Sequence, residues 1–238
     1  AVRAELRRER GINFPMPLGH VPGRREILPC LTQSTWTAIR LTQATLLLNR
    51  PVFLRGPTGT GKSALARTVA HLWNLPTVEF AFTGETAKSD LTAIRQLRHG
   101  ATKWSLQAFL EAVQSGFLVI ANEYNTAYPD VHSIINGLFD KAGLVTLPDG
   151  SEIRAHPDFR LIATGFPDGP GVKPLNEGVE NRFGALVAFD YPLRREEQAI
   201  LNFVAGDRMS TASLGGMAEL ASVARAILRG DIGAEFDG

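Results

Sequence analysis

Apolar residues along the chain gather in short dense runs: Val52-Phe53-Leu54, Phe117-Leu118-Val119-Ile120-Ala121, Phe159-Arg160-Leu161-Ile162-Ala163 and Leu186-Val187-Ala188-Phe189. Each reads as a strand, and the continuous run Phe117–Ala121 reads as one buried on both faces. Thr77-Val78-Glu79-Phe80-Ala81-Phe82 alternates and reads as a fifth strand. Between these runs the apolar period lengthens to that of a helix. Leu31 to Asn49 carries Trp36, Ile39, Leu41, Leu46, Leu47 and Leu48 at helical spacing, and Pro51 ends it. Further helices are predicted over Lys62–Trp73, from about Ser89, over Ser105–Gln114 and from Pro129 to about Lys141. Gly116 closes the helix before the long apolar run.

Two hairpins are expected outside this alternation. The segment Leu97–Trp104, with Gly100, reads as a small one. Leu144-Val145-Thr146-Leu147 and Glu152-Ile153-Arg154 flank the turn Pro148-Asp149-Gly150-Ser151. A loop rich in Gly and Pro spans Gly165–Pro174. Strands alternating with helices predict a largely parallel sheet covered on both faces. Residues 1–30 read as an irregular extension, 31–192 as the α/β domain and 193–238 as two helices, with a mobile end from Gly230.

Composition narrows the class. Hydrophobic residues make up 44% of 238, enough for a core. No stretch reaches the roughly 18 consecutive apolar residues of a membrane-crossing helix. The charged start (Arg3, Glu5, Arg7, Arg8) does not read as a secretory leader. With 25 Lys plus Arg against 24 Asp plus Glu, nothing predicts a broad basic surface for nucleic acid. The single cysteine, Cys30, excludes an internal disulfide, reads as a structural thiol and fits a reducing, cytoplasmic setting. His20, His71, His99, His132 and His156 show no metal-ligand spacing.

The chemistry lies after the first strand. Gly56-Pro57-Thr58-Gly59-Thr60-Gly61-Lys62-Ser63 satisfies G-x-x-x-x-G-K-[ST], with a strand before it and a helix after it, and Gly56 to Ala64 are the candidate cofactor-binding residues. Glycines turn backbone N–H groups inward at a helix N-terminus and form an anion cradle. Lys62 can reach the β- and γ-phosphates, and the Ser63 hydroxyl can ligate Mg²⁺. At the end of the long apolar run, where such a site places an acidic metal partner, stand Asn122 and Glu123. Asn122 can accept a hydrogen bond from metal-bound water without bringing charge. Glu123 is the group to orient and activate an attacking water.

These residues resemble the AAA+ ATPases, in particular the MoxR-like and dynein-related branch, over about residues 20–205. The resemblance rests on the GPTGTGKS loop, Ser89-Asp90-Leu91, Asn122-Glu123-Tyr124-Asn125, Ile134–Phe139, the hairpin around Asp149-Gly150, the stretch from Ala155 to Pro167, and Leu175–Glu177 leading to Glu180-Asn181-Arg182-Phe183. It implies a three-layer sandwich with a parallel five-stranded sheet and a short, incomplete helical lid. It also implies ATP (or ADP) with Mg²⁺ and a homo-oligomer, a hexameric ring. Arg182 then stands as an arginine finger acting on the next subunit's γ-phosphate, and the hairpin from Leu144 to Arg154 as a contact element. By resemblance Val21-Pro22 line the base pocket, and the partner is a protein, such as one with a von Willebrand A-type domain.

Two positions depart from the pattern. The metal-side Asp is Asn122, and the polar sensor residue beyond the fourth strand is Phe166, with Thr164 as a substitute. No second sensor is assigned, because Arg225 and Arg229 read as solvent-facing. Three functions follow as expectations: a hydrolysing ring motor that remodels or activates a protein, a nucleotide-holding assembly subunit with slow turnover, and a nucleic-acid motor, which the balanced charge disfavours.

Overall fold

The computed structural model describes residues 19–98, 101–147 and 149–229; the side chains of 94–105, 207, 228 and 229 are outside that description. The expected extension before residue 19, the tip of the first hairpin, Pro148 and the end from Gly230 lie outside the described residues.

Helix α1 (Gln33–Leu47) starts at Thr32, whose hydroxyl accepts from the Thr35 N–H while the Thr35 hydroxyl accepts from the Thr32 N–H. It stops two residues short of the expected end because Asn49 is left-handed (φ 53°). Then follow β1 (Val52–Arg55), α2 (Lys62–Leu72), β2 (Thr77–Ala81), α3 (Lys88–Leu91), β3 (Ala93–Arg98), β4 (Ala101–Leu106), α4 (Ala108–Ser115), β5 (Leu118–Asn122), a 3₁₀ turn at Tyr124–Thr126 and α5 (Pro129–Leu138). The chain continues through β6 (Leu144–Thr146), β7 (Glu152–Arg154), β8 (Arg160–Gly165), α6 (Glu177–Glu180), β9 (Ala185–Ala188), α7 (Arg194–Ala205) and α8 (Thr211–Arg229).

Five strands form one sheet in the order β2-β5-β8-β1-β9, each neighbour pair parallel. Side chains alternate across it. Phe53, Val119, Ala121, Leu161 and Ala163 enter a core with Phe109, Tyr124, Ile135 and Phe183. Val52, Leu54, Leu118, Ile120 and Ile162 enter a second core with Ile39, Leu46, Leu65 and Val69 of α1 and α2. Both faces are therefore covered, which is why β1, β5 and β8 carry no polar alternation.

Two further boundaries differ from expectation. The first hairpin is longer, pairing Ala93 with Leu106, so the following helix starts at Ala108 instead of Ser105. The helix from Pro129 ends at Leu138, and the chain turns through Asp140–Gly143 to form the β6–β7 hairpin.

Candidate nucleotide site

The loop after β1 crosses from the central sheet to α2. Gly61 caps α2 at φ 89°, a left-handed conformation that suits glycine. This turn delivers Lys62 and Ser63 to the first turn of the helix. Lys62 is 7% exposed; its Nζ donates to the carbonyls of Gly56 (2.8 Å) and Pro57 (2.6 Å) and lies 5.3 Å from the Phe166 ring centre. An ammonium has three donors, so two tether it to the loop and one is left for a ligand. Burial pulls the Lys62 pKa down, and the facing Glu123 carboxylate opposes that shift.

The polar ends of β5 and β8 converge on this loop. Ser63 Oγ donates to Asn122 Oδ1 at 2.7 Å, and Thr164 Oγ1 donates to the same oxygen at 3.4 Å. The Glu123 N–H donates to Thr164 Oγ1 at 3.3 Å. Glu123 itself is left-handed (φ 56°, ψ 34°). Asparagine tolerates that region; a glutamate held there is strained, a condition that clusters at functional sites. Asn125 clamps the next loop at two points: its Nδ2 donates to the Phe166 carbonyl (2.8 Å) and its Oδ1 accepts from the Phe166 N–H (3.1 Å). Gly165 is needed there, because a Cβ would lie 2.4 Å from Asn125 Oδ1 and 2.5 Å from the Phe53 ring.

Lys62, Ser63, Asn122, Glu123, Thr164 and Phe166 are thus brought together. Arg182 belongs to a different group. It follows α6, is 39% exposed at its side chain and pairs with Asp140 beyond α5 at 2.6 Å.

Beside the loop lies a cavity of about 460 Å³, lined by Leu28, Pro29, Cys30, Gly59, Thr60, Gly61, Ala64, Tyr191, Ile200, Leu201 and Arg225 among others. Val21 and Pro22 are not among its lining residues: the Pro22 carbonyl instead accepts from His71 Nδ1 at 2.8 Å, and Leu28 to Thr35 supply that wall. Arg225 also departs from expectation. It is partly buried, ion-paired with Glu197 and lies 5.0 Å over the Tyr191 ring, facing the cavity. Tyr191 Oη donates to the Thr58 carbonyl at 3.0 Å, tying the loop tip to the segment after β9. Neither residue carries a local sequence signal; both reach the site only through the long return of the chain.

The parallel sheet, its strand–loop–helix turn and the polar cluster at neighbouring strand ends define a P-loop nucleoside-triphosphate-binding α/β fold. The family is narrower: residues 51–183, more than half of the chain, match the AAA domain of the dynein-related subfamily, and the chain belongs to that family. An uncharacterized protein of Staphylococcus epidermidis is 30% identical over 164 residues, 66% of this chain and 62% of that protein. The gas vesicle ATPase GvpN of Ancylobacter aquaticus is 28% identical over 198 residues, 74% of this chain and 55% of its own length. The chain therefore spans less than two thirds of the length of these relatives. The crystal structure of a candidate ATPase from Cytophaga hutchinsonii has the same fold, with a TM-score of 0.56 at 18% identity over 79% of this chain and 55% of that one. Among the described residues no helix is long and apolar enough to cross a membrane.

Proposed function

We propose that this chain is an ATP-hydrolysing AAA+ subunit that works in a cytoplasmic homo-oligomeric ring, hexameric by family resemblance, and remodels or activates a partner protein. The observation that carries the reading is the cluster in which Ser63 and Asn122 share a hydrogen bond while Glu123, strained and fixed through Thr164, faces Lys62.

In this reading the residues from Gly56 to Ala64 cradle the phosphates. Ser63 Oγ and Asn122 Oδ1 form a hard-oxygen pair, 2.7 Å apart, that suits Mg²⁺, directly or through water. The ion would supply charge neutralisation at the β- and γ-phosphates. Lys62 holds the γ-phosphate and Glu123 takes the proton from an attacking water. The cavity beside Tyr191 takes the base and ribose. The name of the GvpN relative favours ATP over GTP. Arg182 acts on the neighbouring subunit's γ-phosphate after exchanging Asp140 for it, and the β6–β7 hairpin meets the client, for which a von Willebrand A-type domain protein is the family-based choice.

One measurement tests this: nucleotide turnover recorded beside oligomer mass, with and without ATP and Mg²⁺, for the wild type and Glu123→Gln. Glu123→Gln is expected to lose about 10²–10⁴ in turnover and to keep nucleotide binding. Undetectable hydrolysis by the assembled wild type would sink the motor reading. It would favour a second one, a nucleotide-holding assembly subunit, which the uncharged Asn122 and the apolar Phe166 support.

A further inference from the structure

Asn122 raises a question that an aspartate would not. Its carboxamide has one face that accepts and one that donates, and only the oxygen face can serve a cation or its water. Something must fix which way the group points. The Asn122 Nδ2 donates to Glu79 Oε2 at 3.3 Å. Glu79 sits on β2, whose Ala81 is in register with Asn122 of β5, so its side chain reaches the same strand end from the neighbouring strand. Arg67 grips Glu79 with both arms of its guanidinium: Nε to Oε1 at 2.6 Å and Nη2 to Oε2 at 2.8 Å. Arg67 lies four residues after Ser63 on α2, one helical turn further along the same face. The circuit is closed: Ser63 to Asn122, Asn122 to Glu79, Glu79 to Arg67, and Arg67 back to the helix that carries Ser63.

We infer that Glu79, held by Arg67, is a positioning residue that locks the Asn122 oxygen toward Ser63. A carboxylate can only accept, so the amide nitrogen must face it and the oxygen must face the loop. The same geometry makes asparagine the matched residue at 122. An aspartate there would set two carboxylates against each other, with Arg67 already committed to one of them. Position 79 and position 122 form one unit, and the neutral side chain at 122 is the complement of the charged one at 79. The consequence for Mg²⁺ rests on the nucleotide-site reading given above; the clamp itself does not.

The test is a four-protein cycle of wild type, Glu79→Gln, Asn122→Asp and the double variant, melted without nucleotide. Asn122→Asp is expected to lower the melting temperature by about 2–4 °C when Glu79 is present. In the Glu79→Gln background it is expected to lower it little, because the carboxamide at 79 can donate to the new carboxylate. Equal shifts in both backgrounds overturn the clamp. A second arm measures the Mg²⁺ concentration at half-maximal binding of a non-hydrolysable ATP analogue, which involves no turnover. Glu79→Met is expected to raise it about tenfold or more, the usual cost of losing an outer-sphere partner, and Glu79→Gln to raise it less, because its carboxamide can still accept from Asn122 but no longer excludes the flipped amide. An unchanged midpoint in Glu79→Met overturns the positioning role. Coupled melting with no Mg²⁺ dependence in any of the proteins leaves the clamp standing and refutes the metal site it was proposed to serve.

Discussion

At the carboxyl ends of β1, β5 and β8, the polar side chains around the phosphate loop are cross-linked: Lys62 to two carbonyls, Ser63 and Thr164 to Asn122, Asn125 to both sides of the Phe166 peptide group. Across the adjacent cavity the wall is made differently. Helix α7 buries no residue, and α8 buries Leu214 and Ala218. Polar pairs fasten them instead: at the surface Glu196 accepts from the Ser34 N–H and hydroxyl at the start of α1 and Arg194 meets Glu219 at 2.5 Å, and the partly buried Arg225 meets Glu197. Lys62, Ser63, Asn122 and Glu123 stand at the ends of buried strands and on the first turn of α2, where positions are held by packing. The wall of the cavity proposed for the base includes helices with little apolar burial, which places them at the low-stability end of the molecule. Tyr191, which donates to the Thr58 carbonyl, ties that wall to the phosphate loop.

The largest effect is expected for a residue outside both regions. Arg182→Ala should cut turnover by about 10³–10⁵ and leave nucleotide affinity unchanged. Mixing it with Glu123→Gln subunits should restore part of the turnover, because a mixed ring contains junctions with an intact Glu123 beside an intact Arg182. A mixture as inactive as its components would show that Arg182 does not act between subunits. Next, Gly165→Ala sharpens the rigid side of the comparison. Its Cβ has no room beside Asn125 and Phe53, so stability should fall by about 1–3 kcal/mol, read as a lower melting temperature. An unchanged melt would mean that the phosphate end yields as readily as the helices. The smallest effect belongs to the soft side. Arg225→Met should weaken nucleotide binding a few-fold, with a difference that shrinks as salt rises. Cys30 gives the readout: it is the single cysteine and lines the cavity, so bound nucleotide should slow its alkylation. Burial pushes that thiol's pKa up, so labelling is best followed above about pH 8, where thiolate is available. Equal protection in both proteins would remove Arg225 from the site.

The same contrast governs what was legible in the sequence. Buried parallel strands announce themselves as apolar runs, and the phosphate turn as glycines before a Lys-Ser pair, so the sheet and its loop could be read from neighbours along the chain. The hairpin edge at Leu106 could not, because Leu106, which pairs with Ala93, also fits the apolar face of the helix that follows. Glu79 reads as an ordinary alternating position on a strand; its meaning comes from Arg67 on the preceding helix and Asn122 on the next strand. Arg225 lies far beyond the loop in sequence, and a surface-like helical pattern hid its place at the cavity. Contacts that bridge elements leave no periodicity behind.

The left-handed backbone at Glu123 sets two demands against each other. A glycine would adopt that conformation at ease and relieve the strain, while removing the carboxylate proposed to activate the attacking water. Screening this protein for thermostability alone would therefore reward the loss of its proposed base. Residue 123 marks a point where durability and chemistry trade against each other.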